Sequence, residues 1–120
     1  MVQPFMEELA KDHEVLVPEH PGFGSSDEPQ WLDNIHDLAY YYLDFLEHLN
    51  LHNVTVIGSS IGGWLALEIA VRNLSRIRAL SVIAAAGIYV QGLKRGDMFL
   101  WNPEERVRNL FVDQTMADRI

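Results

Sequence analysis

The 120-residue sequence predicts an α/β fold: a mostly parallel sheet flanked by helices. Two observations carry the prediction. Short β-prone apolar runs alternate with amphipathic helical stretches, and the runs are continuous rather than alternating in polarity. Continuous runs suit strands of a parallel sheet covered on both faces.

The elements follow in chain order. Glu14-Val15-Leu16-Val17-Pro18 is a first strand, closed by Pro and a glycine-rich turn. Ile35, Leu38, Tyr42, Phe45, Leu46 and Leu49 recur three and four apart, the stripe of a helix with one buried face. Val54-Thr55-Val56-Ile57 is β-branched throughout and stops at Gly58. Ile61 to Arg72, with Leu65, Ala66, Ile69 and Ala70, predicts a second and more deeply buried helix. Ala79-Leu80-Ser81-Val82-Ile83-Ala84 is a third strand. Asn102-Pro103-Glu104-Glu105 is a helix start: a capping Asn, Pro at the first position, then acids at the positive helix end. Val107, Leu110 and Phe111 give that helix an apolar side.

Composition narrows the function. The net charge of −8 argues against nucleic acid, which calls for a basic face, and against anionic membrane surfaces. The absence of cysteine excludes disulfides, thiolate catalysis and cysteine-based zinc sites. Met1 to Glu8 has neither a basic nor an apolar signal region, and the apolar run Leu80 to Val90 falls short of the about 20 residues a bilayer span needs. The cytoplasm is therefore the default location.

Gly58-Ser59-Ser60-Ile61-Gly62-Gly63 stands between the β-branched strand and the second helix. It reads G-x-S-x-G with Ser60 at its centre. A serine hydroxyl is a weak nucleophile unless it is held in a fixed pose and exposed to a base. A sharp strand-to-helix bend provides that pose, and small residues around it leave room for the backbone. A helix starting at the serine also directs free N–H groups at the reacting centre, with that of Ile61 a natural oxyanion donor. Rival glycine motifs fail on spacing. Trp64 occupies the lysine position of a phosphate loop, and Ser60 occupies the second glycine of a dinucleotide fingerprint begun at Gly58. Begun at Gly22, that fingerprint has Asp27 in place of its third glycine.

Pro18-Glu19-His20-Pro21-Gly22-Phe23-Gly24-Ser25-Ser26-Asp27 followed by the Ser60 motif resembles the α/β-hydrolase superfamily, from about Phe5 to about Phe111. The resemblance implies a partial α/β-hydrolase domain over residues 1–120, with a core at about 5–87 and the start of a cap at about 88–120. Its three strands would match the family's strands 4, 5 and 6. In the family order 1-2-4-3-5-6-7-8, the Val15–Val17 strand then lacks a neighbour, so a piece of a longer hydrolase is expected.

The resemblance also implies the chemistry: a serine hydrolase acting on an ester, thioester, amide or related small carbonyl compound, with Ser60 as nucleophile. Carbon–carbon hydrolysis, acyl transfer and lyase chemistry remain open, as does a non-catalytic scaffold. No cofactor and no metal are implied. The triad order is serine, acid, histidine, whereas all five histidines here precede Ser60. Asp97 is a candidate acid, weighed against an ordinary solvated loop residue. His20 and Ser59 are candidate pocket residues, and His20 is alternatively a turn residue satisfied by backbone groups. The other histidines fit surface positions.

Overall fold

A computed structural model describes residues 3–93 and 96–118. The chain divides into two compact units, residues 1–86 and 87–120.

The first unit opens with α1 (Pro4–Leu9), which has Pro at its first turn. The stretch 14–20 that follows carries no regular secondary structure, which corrects the expected first strand. Its apolar residues have the right composition, but a strand exists only through ladder partners. Leu16 and Val17 remain about half exposed.

Helix α2 (Ile35–His48) starts where the Asn34 side chain accepts from the N–H groups of His36 and Asp37. It ends in a Schellman turn, with Asn50 at φ 50°. There the N–H of Leu51 donates to the carbonyl of Leu46, and that of Asn50 to Glu47. Strand β1 (Val54–Ser59), helix α3 (Ile61–Arg72) and strand β2 (Ile77–Ile83) then form a strand–helix–strand unit with β1 and β2 parallel. The register pairs Val56 with Leu80, Gly58 with Val82 and Ser59 with Ile83.

The core lies between α2 and α3, where Ala39 and Tyr42 meet Leu65 and Ile69, with Ile77 of β2 packed against them. A polar seam joins the same two helices. Glu68 accepts from Arg72 at 2.6 Å and from the Trp64 indole at 3.0 Å, and Arg72 lies 5.3 Å above the Tyr40 ring. These donors, Arg72 first, hold the Glu68 carboxyl below its ordinary range. The sheet is less covered than the sequence predicts: Ile57 is 45% and Ile83 52% exposed. With α3 packed on the two strands, their opposite face is open among the described residues.

The second unit holds α4 (Pro103–Leu110) and α5 (Gln114–Ala117). A reciprocal capping box starts α4: Asn102 accepts from the Glu105 N–H at 2.9 Å, and Glu105 accepts from the Asn102 N–H at 3.0 Å. The expected apolar side of α4 is only partly used, since no residue of the helix is buried and Leu110 is 57% exposed. None of the described helices is long and apolar enough to cross a membrane.

Candidate active site

Ser60 stands between the last residue of β1 and the first of α3, with φ 54° and ψ −118°. An L-residue pays for a left-handed backbone of this kind, so surrounding structure must impose it. Four hydrogen bonds do so. The Ser60 N–H donates to the carbonyl of Ile83 at 3.0 Å. Its carbonyl accepts from the N–H groups of Gly63 at 3.0 Å, Trp64 at 3.2 Å and Ala86 at 3.0 Å. The hydroxyl caps no helix amide, and the residue is exposed.

The bend is possible because two backbones nearly touch. A methyl group on Gly58 would overlap the Gly62 carbonyl and stand 2.8 Å from the Gly63 nitrogen. One on Gly63 would stand 2.7 Å from the Ala85 Cβ. Gly62, the last glycine of G-x-S-x-G, has open space there instead. The steric demand therefore falls on Gly58 and Gly63 rather than on the symmetric pair around the serine.

Ile61 begins α3, so its N–H has no intrahelical acceptor, and it has no partner among the described residues. Ser59 ends β1 and is exposed, paired in register with Ile83. Asp97 belongs to the second unit, where its carboxylate accepts from the Phe99 N–H at 3.0 Å and closes its own turn. Among the described residues no group of three His, Asp or Glu side chains could hold a metal ion.

The His20 ring departs from the expectation of a turn residue satisfied by backbone groups. It is tied to a side chain, not to backbone: its Nδ1 shares a 2.7 Å hydrogen bond with the Tyr42 hydroxyl. Its ring meets those of Tyr42 and Phe23 edge to face. Burial lowers the His20 pKa, while burial and then Tyr41 push Tyr42 up to about 12. Burial thus favours the neutral form of both rings. Next to them Glu19 reaches across the turn to the Ser25 N–H and hydroxyl, at 3.1 and 3.0 Å, and these bonds lower its pKa, the backbone bond first. Glu19 thereby closes this turn.

The His20 shift has a sign that can be tested. A folded-state pKa below the ordinary value of about 6.5 gives stability that is whole above that pH. It is lost as pH falls toward the folded value. Denaturation midpoints taken between about pH 7.5 and 5 should decline for the parent chain and decline less for His20→Gln. Equal slopes would refute the coupling.

Sequence comparison supplies the family. The α/β hydrolase fold matches residues 1–119. The chain belongs to that family. It is 33% identical to 2-hydroxymuconate semialdehyde hydrolase of Pseudomonas sp. (strain CF600), over 69% of this chain and 30% of that protein. It is 30% identical to 2-hydroxy-6-oxo-2,4-heptadienoate hydrolase of Pseudomonas putida, over 88% of this chain and 38% of that protein. Identity to poly(3-hydroxyalkanoate) depolymerase of Ectopseudomonas oleovorans is 32%, over 90% of this chain and 39% of that protein. The chain thus spans about a third of the length of these hydrolases. β1, Ser60 and α3 form a strand–bend–helix segment within the residues that match the family. Gly63 and the Ala84–Ala86 stretch brace the bend and were missed by sequence reasoning. The only signal for the last was the smallness of three consecutive alanines.

Proposed function

We propose that this chain is the nucleophile-bearing segment of a serine hydrolase acting on an ester, thioester, amide or related small carbonyl compound. The backbone of Ser60 carries the proposal: a left-handed serine, exposed, between a strand and a helix whose first N–H has no partner among the described residues. The Ser60 oxygen attacks the substrate carbonyl carbon, the carbonyl π electrons move to its oxygen, and the Ile61 N–H receives that negative charge. The serine proton passes to a base. By the family order this is an imidazole later in the chain than Ser60, and no histidine follows Ser60 here. Residues 88–120 are proposed as the beginning of a cap. Within the same machinery, carbon–carbon hydrolysis is a second reading, favoured by the relatives named for 2-hydroxymuconate semialdehyde and 2-hydroxy-6-oxo-2,4-heptadienoate.

A fluorophosphonate probe tests the proposal. Slow labelling is expected for the purified chain, and Ser60→Ala should abolish it, whereas Asp97→Asn should leave it unchanged because that carboxylate serves its own turn. No labelling of a folded sample, or labelling that survives Ser60→Ala, would overturn the assignment and favour a non-catalytic scaffold. Without an imidazole base acting on Ser60, turnover should fall by several orders of magnitude, about 10³ or more.

A further inference from the structure

We infer that Ala86 is a positioning residue for the oxyanion donor: its N–H clamps the Ser60–Ile61 peptide plane and thereby aims the Ile61 N–H. The inference rests on the proposed role of Ser60 and extends it to a residue with no functional side chain. In a trans peptide the carbonyl of one residue and the N–H of the next lie in one plane and point in opposite directions. No described peptide bond is cis. Whatever fixes the Ser60 carbonyl therefore fixes the Ile61 N–H. Gly63 and Trp64 hold that carbonyl from within α3, but their bonds travel with the helix. The Ala86 N–H, at 3.0 Å, comes from beyond the end of β2 and ties the plane to the sheet.

Two further observations point the same way. Ala84 adopts φ 45°, a left-handed conformation that alanine disfavours. It lies just past β2, between the two bonds that tie Ser60 to the end of β2 and the segment after it: the Ile83 carbonyl accepting from the Ser60 N–H, and the Ala86 N–H donating to the Ser60 carbonyl. Both strained residues, Ser60 and Ala84, thus stand at the carboxyl ends of paired parallel strands, where such sheets bind ligands. Ala85 packs so closely on Gly63 that a methyl there would stand 2.7 Å from its Cβ. The segment after β2 therefore braces the bend on both of its sides.

The experiment begins on the unaltered chain, by amide hydrogen exchange. The Ala86 amide should be protected and the Ile61 amide unprotected. An unprotected Ala86 amide, or a protected Ile61 amide, overturns the inference without any variant. Ala86→Pro then removes the donor, and Ala86→Gly keeps it. Against a fluorophosphonate, Ala86→Pro should lower the maximal inactivation rate about tenfold or more with little change in the concentration for half-maximal rate, and Ala86→Gly should restore it. Equal rates in the two variants, or a loss confined to probe affinity, would refute the clamp. Failure of Ser60 to label in a chain with the predicted exchange pattern would instead sink the nucleophile assignment and leave the clamp standing.

Discussion

Gly58→Ala should dislodge α3 from the sheet and abolish labelling at Ser60. The added methyl would meet the carbonyl of Gly62 and the nitrogen of Gly63, both backbone atoms of the helix start, so no side-chain rotation relieves the clash. Overpacking of this kind costs about 1–3 kcal/mol, occasionally more. The upper end is expected because the helix must shift as a body. Thermal denaturation should then fall by roughly 4–8 °C per kcal/mol for a domain of this size. Gly62→Ala is the control. Nothing lies within 4 Å of its added methyl, and the position is inside α3. Alanine there should gain up to about 1 kcal/mol from helix propensity. Equal destabilisation by the two substitutions would contradict the asymmetry of the bend.

Leu65→Ala should cost about 2–5 kcal/mol, the range for truncating a buried leucine. Leu65 is 5% exposed and packs with Ala39, Tyr42 and Ile69 in the cluster that joins α3 to α2. Small domains have about 5–15 kcal/mol in total, so this one side chain represents a large share. It sits one turn into the helix that begins at Ser60, so its loss loosens the bend as well as the core. Val71→Ala on the same helix, at a side chain 79% exposed, should stay within about 0.5 kcal/mol. Urea denaturation followed by circular dichroism measures both. Near-equal midpoints would mean that the α2–α3 contact does not carry the fold.

Much of this structure was legible in the sequence because its signals are local. Asn34 and Asn102 cap helices with their own side chains, and the stripes on α2 and α3 repeat within a few residues. The bend at Ser60 was legible because glycine and serine mark backbone geometry directly. Val15–Val17 misled because β-branched composition speaks for a strand only when a partner strand completes the ladder. The His20–Tyr42 bond joins residues 22 apart, beyond any local pattern. Ala84 and Ala86 were invisible for a different reason. They act through φ and N–H, which every alanine shares, so their letters carry no mark of the role.

The sheet has one further consequence. A pair of strands has no middle member, so among the described residues β1 and β2 each have one edge without a ladder partner, beside the exposed Ile57 and Ile83. Such an edge accepts any extended segment that can match its spacing, another molecule's included. In concentrated samples, self-association will therefore compete with any reaction at Ser60, and light scattering should be followed alongside every rate.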